Sequence, residues 1–376
     1  MIDGLKDAQS GNQDQEEETG TDRKQDGWMT SGEQQVHSGR GRHKIGGNGR
    51  HLQRATSCSG WTKPLMAAMW LTAFGAGADD GDDIDEAPVH HILDVLAVVD
   101  KPMLDYWIEA PGAGSREKVI EEIKSLFFEI NFVFQSLREF NLNVEIRLED
   151  IVFPNSSIVP VVKVENNVVD SITAGMSFAR YLNQHRYTYD HAMYITKYDL
   201  HGYGVKDTKG VGKVNSACKN FSISRIEGRR DYNTVRIAAH ELGHCLGANH
   251  DNVKDSKCKG KYIMSTGVKP AGDPKFWYFS KCTATAIKKY IKSLGKNNCL
   301  ERSNNPSIIS KRMGELVDKD DMCRRLYGSK VSPFYASGDK LCYKLRCLSQ
   351  QPVEPCVTPE GVKCAQNKKC FMGHCV

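Results

Sequence analysis

The sequence lacks three features that would assign it to common classes of protein. After residue 80 no apolar run approaches the about 20 residues that a membrane-spanning helix needs, so we expect no membrane span. The net charge is only +5 and the lysines and arginines are scattered along the chain, which gives no indication of nucleic-acid binding. The tripeptide Arg-Gly-Asp is absent, so integrin binding through that motif is not supported.

Apolar residues make up 40% of the 376 residues, enough for two folded units, but they are unevenly distributed. Residues 1–62 are polar and rich in glycine, which predicts a low-complexity segment without a core. Residues 63–78 form a short apolar run that ends in Ala76-Gly77-Ala78, typical of a signal peptide and its cleavage site. Because signal peptides normally begin a chain, translation starts near Met66, or the upstream residues are not part of the natural chain, or the run is a buried apolar segment. Residues 79–90 read as an acidic linker.

The cysteines point to an oxidising compartment. Of thirteen cysteines, twelve follow residue 78, and a dense, even set is typical of secreted, disulfide-bonded proteins. Seven of them lie between Cys323 and Cys375. A segment so short cannot bury much apolar surface, so disulfides should stabilise it. We therefore predict a main domain at residues 91–301, a linker at 302–322 and a cysteine-rich module at 323–376.

Hydrophobic periodicity in the main domain alternates between that of strands and that of helices. The first aliphatic run is nearly continuous, as in a strand buried within a parallel sheet. The predicted elements are a strand at 92–100, a helix at 115–140, a strand at 144–152, a helix at 171–184 and a strand at 191–196. This βαβαβ order predicts an α/β fold.

The most informative segment is His240-Glu241-Leu242-Gly243-His244, which continues to His250. Two histidines four residues apart project from the same face of a helix and can bind one cation. Gly247 can adopt positive φ and end the helix, so that the chain returns and brings His250 to the same cation. Three protein ligands leave the fourth position of a zinc ion to water, and Glu241 lies where it could accept a proton from that water. This pattern indicates a metal-dependent hydrolase.

The longer pattern His-Glu-x-x-His-x-x-Gly-x-x-His, with a methionine in Tyr262-Ile263-Met264-Ser265, resembles the metzincin zinc proteases. The residue directly after the third histidine differs between branches of this family, and Asp251 at this position resembles the adamalysin (reprolysin) branch. The resemblance covers residues 92–300. It implies a metzincin-type catalytic domain with a mixed twisted sheet, the zinc helix below the sheet, and Met264 as an apolar floor under the zinc.

In such proteases the substrate lies along an edge strand before the zinc helix. The resemblance places Gly210–Asn215 there, with Gly212, Lys213 and Val214 as substrate-binding residues. An exposed edge strand pairs with extended peptide, which favours unfolded or loop segments as substrates. Val268, after the methionine turn, would form part of the wall of a pocket for an apolar side chain.

The resemblance also implies disulfides and a second metal site. Two disulfides are implied, Cys218 with Cys299 and Cys258 with Cys282. Cys245 has no partner in the resemblance and is either a buried thiol or bridged to the tail. Asp94 and Asp190 match positions that supply calcium ligands, although Arg302 stands where a neutral ligand would be expected. The alternatives are a calcium ion, Ca²⁺, or a structural ion pair.

The function implied is that of a secreted, monomeric zinc metalloendopeptidase with one catalytic zinc, Zn²⁺. Its expected substrates are extracellular matrix or plasma proteins, such as gelatin and fibrinogen. The cysteine-rich tail resembles the disintegrin-like modules of thrombospondin-motif adamalysins, and short secreted proteases with such tails occur in tick saliva. The alternative is a catalytically weak or latent protein that binds a matrix or host partner through its tail.

Overall fold

A computed structural model describes residues 89–155, 158, 168–202, 205–228, 233–251, 258–259, 261–266, 274–333, 336–349 and 356–376. The predicted low-complexity segment 1–62, the signal-like run 63–78 and most of the acidic linker 79–90 lie outside these residues, and so does Val268. The described residues belong to one compact unit, which spans residues 82–376.

The strands of the main domain build a mixed sheet. The strands before the zinc motif are β1 (His90–Val99), β2 (Asn143–Val152), β3 (Val168–Asp170), β4 (His191–Thr196), β5 (Asp199–Gly202), β6 (Val205–Thr208), β7 (Gly210–Gly212) and β8 (Ile223–Glu227). The main sheet has the order β2-β1-β4-β8-β7. Its first four strands are parallel, and the edge strand β7 runs antiparallel to β8. Strands β3, β5 and β6 form a smaller sheet.

Helices cover both faces of the main sheet. The helices are α1 (Lys101–Ile108), α2 (Arg116–Gln135), α3 (Ser171–His185), α4 (Asn233–Cys245), α5 (Lys281–Leu294), α6 (Met313–Leu316), α7 (Lys319–Tyr327) and α8 (Gly338–Tyr343). Alternate residues of β1 point to opposite faces. Leu93 and Val95 pack into the core that contains residues of α2 and α4, whereas Leu96 and Val98 pack with Phe178 of α3. The predicted α/β class is confirmed.

Within residues 92–196 the five predicted elements are present, and one helix was missed. Ser115 is the N-cap of α2, because its hydroxyl accepts a hydrogen bond from the Lys118 amide at 3.3 Å. The missed helix is α1, which begins directly after β1. Asp100, which we predicted as the last residue of the strand, is instead its N-cap and accepts from the Met103 amide at 2.8 Å. The same carboxylate accepts from the Thr196 hydroxyl on β4 at 2.6 Å, a long-range contact that no local pattern reports.

The two disulfides implied by the resemblance, Cys218–Cys299 and Cys258–Cys282, are both present. Three more cross-link the tail; they are Cys323–Cys347, Cys342–Cys370 and Cys364–Cys375. The tail strands are β9 (Ser332–Pro333), β10 (Cys347–Leu348), β11 (Lys363–Ala365), β12 (Lys368–Phe371) and β13 (His374–Cys375). Cys245 is a buried free thiol, so of the two alternatives for it the structure has the first.

The tail packs on the main domain over a continuous apolar contact. Val357 and Met372 of the tail belong to the same buried cluster as the zinc-motif helix. The segment predicted as a linker contains α6 and the start of α7, and the Met313 amide donates to the buried Glu129 carboxylate of α2 at 2.7 Å. The domain boundary at residues 302–322 stays a prediction. Among the described residues, no helix combines the length and the apolar character that crossing a bilayer requires.

Candidate active site

Three imidazoles converge at the C-terminal end of α4. His240 and His244 lie one turn apart on the helix, and His250 follows it in the chain. One ring nitrogen from each histidine lies within 4.8 Å of the others. The Nε2 atoms of His240 and His250 are 3.2 Å apart. Two nitrogens bound to one tetrahedral zinc at about 2.05 Å would be separated by about 3.3 Å, so the spacing fits a shared zinc ion.

Backbone carbonyls hold two of these rings. The His240 Nδ1 lies 2.8 Å from the Ile263 carbonyl oxygen, and the His244 Nδ1 lies 2.7 Å from that of Ala248. A carbonyl only accepts hydrogen bonds, so each Nδ1 carries the proton and each Nε2 presents a lone pair. Burial lowers the pKa of His240 to about 3 and lowers the pKa of His244 and His250 as well. The neutral form that binds metals is therefore favoured at neutral pH.

The return of the chain to His250 depends on Gly247. Helix α4 ends at Cys245, and Gly247 has a φ of 105°, as expected for a glycine that stops a helix. A Cβ at this position would lie 2.4 Å from the Cβ of Tyr290, so a side chain is excluded by space as well as by conformation. Asp251 then anchors the returning segment, since its carboxylate accepts from the Ser280 hydroxyl at 2.5 Å and its amide donates to the Met264 carbonyl at 2.9 Å.

Met264 is completely buried. A Cβ added to Gly243 would come within 2.6 Å of the Met264 sulfur, so the thioether packs directly on the helix backbone. Gly243 is thus required for this contact, and sequence reasoning did not single it out. The signal was available in principle, because a glycine inside a helix costs about 1 kcal/mol relative to alanine and usually has a packing reason.

The side chain of Glu241 extends from α4 to the edge strand β7. A Cβ at Gly210 would be 2.6 Å from the Glu241 Oε1, and one at Gly212 would be 3.1 Å from Oε2. Both glycines of the strand therefore face the carboxylate. Burial raises the pKa of Glu241 to about 8, while the Gly212 amide and the positive charge of Arg225 act in the opposite direction.

The edge strand is shorter than predicted. We expected Gly210–Asn215 to be strand, but β7 ends at Gly212. Asn215 has a φ of 60°, and its amide donates to the His244 carbonyl at 3.1 Å. This turn directs the chain toward the end of α4. Of the predicted substrate-binding residues, Gly212 lies in the strand, while the exposed Lys213 and the half-buried Val214 follow it.

A family profile described as metallo-peptidase family M12, reprolysin group, matches residues 89–280, about half of the chain. The chain belongs to metallo-peptidase family M12. This confirms the resemblance to adamalysins, and zinc is the metal that the family implies for the three histidines. The matched segment contains the metal-site residues, because α4 and the methionine turn, Tyr262–Ser265, both lie within residues 89–280.

The curated relatives of this M12 protein are much longer than the matched segment. The human protein "A disintegrin and metalloproteinase with thrombospondin motifs 3" is 25% identical over 204 residues, 51% of this chain and 16% of the relative. The Caenorhabditis elegans protein "A disintegrin and metalloproteinase with thrombospondin motifs adt-1" is 29% identical over 203 residues, 50% of this chain and 13% of the relative. The chain thus spans less than a fifth of the length of these relatives.

Two solved structures are also similar. Metalloproteinase-II from Bacteroides fragilis is 17% identical with a TM-score of 0.34, and the similarity covers 55% of each chain. Archaemetzincin from Methanopyrus kandleri is 14% identical with a TM-score of 0.34, covering 56% of this chain and 99% of the other.

The two aspartates predicted as calcium ligands are neighbours. The Asp94 amide donates to the Asp190 carboxylate at 3.0 Å, and the Asp190 amide donates to the Asp94 carbonyl at 3.0 Å. The Ser303 hydroxyl donates to the Asp94 carboxylate at 2.7 Å. Burial, with the nearby charges of Asp94 and Glu149, raises the pKa of Asp190 to about 6. Calcium at this pair stays a prediction.

The Asp190→Asn variant tests this pair. An acid whose pKa is raised by folding destabilises the folded state once it ionises, so in calcium-free buffer the parent should lose stability as the pH rises from about 4 to about 6. The half-exposed position reduces the loss to about 1 to 2 kcal/mol. We expect the variant to unfold at higher urea concentration than the parent at pH 7.5 and at the same concentration near pH 4. Millimolar calcium should stabilise only the parent; equal stabilisation of both proteins would contradict calcium binding at Asp190.

Proposed function

We propose that this chain is a secreted zinc metalloendopeptidase that cleaves extended segments of extracellular proteins. The observation that carries the proposal is the convergence of His240, His244 and His250 beside the buried carboxylate of Glu241. A zinc ion bound by the three histidines would polarise the scissile carbonyl and acidify a water molecule. Glu241 accepts the proton of the attacking water at its carboxylate and returns it to the nitrogen of the leaving amine, so that one water is consumed for each bond cleaved.

The edge of the sheet supports an extended substrate. Strand β7 pairs with β8 on one side only within the described part of the chain, so its other side can hydrogen-bond to a peptide laid alongside. Because Gly210 and Gly212 face Glu241, a peptide paired with this strand would pass close to the assigned base. Substrates in this class are unfolded or loop segments, as in gelatin and fibrinogen.

Secretion is supported by the five disulfides, which form and persist in oxidising compartments. We further propose that the protein acts as a monomer and that its tail helps to hold substrate proteins. Under this proposal, Val268, which lies outside the described residues, would contribute to the binding of an apolar substrate side chain.

Incubating the purified, disulfide-bonded chain with gelatin and with fibrinogen tests the proposal. We expect cleavage that stops when a zinc chelator is added and returns when zinc is restored in slight excess. Fragment masses would identify the cleaved bonds and test the expected apolar residue after them. Stoichiometric zinc binding without cleavage of either protein, or of a random peptide library, would contradict the peptidase and favour a binding protein that acts through its tail.

A further inference from the structure

Arg236 has an unusual environment for an arginine. It lies on α4, one helical turn before His240 and on the same face, and only 2% of its surface is exposed. Burying a guanidinium is costly unless polar groups receive its protons. The identity and surroundings of this residue therefore require an explanation beyond helix formation.

The guanidinium joins two distant parts of the chain. Its Nη1 donates to the Phe276 carbonyl at 2.6 Å, and its Nη2 donates to the Tyr262 carbonyl at 3.0 Å. It also lies 3.8 Å from the centre of the Phe276 ring, a favourable position for a cation over an aromatic face. The planar fork of the arginine donates to the two carbonyls from two separate nitrogens, whereas a lysine would have to reach both carbonyls from a single ammonium nitrogen.

The Tyr262 carbonyl is the first of three consecutive carbonyls that accept hydrogen bonds from residues in or next to the metal site. The next, that of Ile263, accepts from the Nδ1 of His240 at 2.8 Å. The third, that of Met264, accepts from the amide of Asp251, the residue after His250, at 2.9 Å. A shift of this short segment would therefore move the acceptor that sets the tautomer and orientation of His240.

We propose that Arg236 is a positioning residue of the zinc site, which fixes the methionine turn so that the Ile263 carbonyl orients His240. The inference rests on the proposed function in that it assumes that the three histidines bind zinc. Hydrogen-bond partners of metal-ligating histidines typically account for a 10- to 100-fold change in metal affinity. Arg236 acts on such a partner, so its effect belongs at the lower end of that range.

The test compares Arg236→Met and Arg236→Lys with Arg325→Met. Arg325 is an equally buried arginine, 5% exposed, whose guanidinium donates to Glu122 at 2.9 Å and lies far from the histidines in sequence, on α7. Removing either guanidinium should lower stability, but only Arg236 should affect the metal. The measurements are the zinc dissociation constant from chelator competition and the visible absorption spectrum of the cobalt-substituted protein, neither of which needs a substrate.

We expect Arg236→Met to weaken zinc binding about tenfold and to change the cobalt spectrum, with a smaller effect for Arg236→Lys. Arg325→Met should match the parent in both measurements. Parent affinity and spectrum in both Arg236 variants, or equal changes in Arg325→Met, would overturn the positioning role. If Arg236→Met does not fold, the lysine variant alone decides between these outcomes. A parent protein that binds no zinc would overturn the proposed function and this inference together, whereas zinc binding without proteolysis would contradict only the former.

Discussion

Replacing Glu241 by Gln is expected to abolish peptide hydrolysis while leaving metal binding and folding intact. Glutamine keeps the shape and one acceptor oxygen of glutamate but cannot accept a proton from water. General-base catalysis typically contributes 10²- to 10⁴-fold, so we expect a loss of about a thousandfold in kcat, or about 4 kcal/mol in the barrier. The measurement is the initial rate of cleavage of a quenched peptide, with zinc content determined on the same samples.

Stability measurements separate this loss from misfolding. Because burial raises the pKa of Glu241 to about 8, the metal-free parent at pH 7 holds this side chain largely in its neutral form, which glutamine imitates. The metal-free variant should therefore be no less stable than the parent. Glu129→Gln is a matched control, since Glu129 is also fully buried but contacts the Met313 amide instead of the zinc motif. Full activity in the control and parent-like activity in Glu241→Gln would show that Glu241 is not the base.

The Trp277→Ala variant is expected to lose about 3 to 5 kcal/mol of stability, a large part of the 5 to 15 kcal/mol that a folded protein typically has. Trp277 is 1% exposed and ends the 3-10 helix Pro274–Trp277. Its ring packs against Gly373 of the tail so closely that a Cβ there would lie 3.0 Å from the indole. Tyr343 of the tail lies 5.9 Å from it, centroid to centroid. Truncation would leave a cavity between the tail and the main domain.

Urea unfolding followed by both fluorescence and circular dichroism would measure this loss. We expect one transition for the parent, since Met372 of the tail shares the main-domain core, and a lower midpoint for the variant. Trp277→Phe should lose less, and Leu348→Ala, at a half-exposed tail position, should change stability by less than about 0.5 kcal/mol. A loss below about 1 kcal/mol in Trp277→Ala, or separate transitions for the tail and the main domain in the parent, would contradict the shared core.

Much of the fold was predictable because its elements obey local rules. The aliphatic run of β1, the three-and-four spacing in α2 and the alternation of strands and helices indicated the α/β class, and these elements are confirmed. Helix α1 was missed although its start carries local signals, the N-cap Asp100 and a proline in the first turn, because Asp100 also continues the aliphatic run that was assigned to the strand. Strand β7 was predicted too long because the Asn215 amide donates its hydrogen bond to a carbonyl near the end of α4 instead of continuing the strand. For β7, a contact remote in sequence overrode the local pattern.

The sequence by itself determined the metal-binding constellation. The spacing of His240 and His244 places both rings on one helix face, which follows from helix geometry alone, and Gly247 allows the chain to return with His250. Only the tertiary structure decided what surrounds them, including the Arg236 contacts, the two glycines of β7 against Glu241 and the tail against Trp277. The physical reason is that helix periodicity is a property of neighbouring residues, whereas packing brings together side chains whose separation along the chain carries no periodic signal.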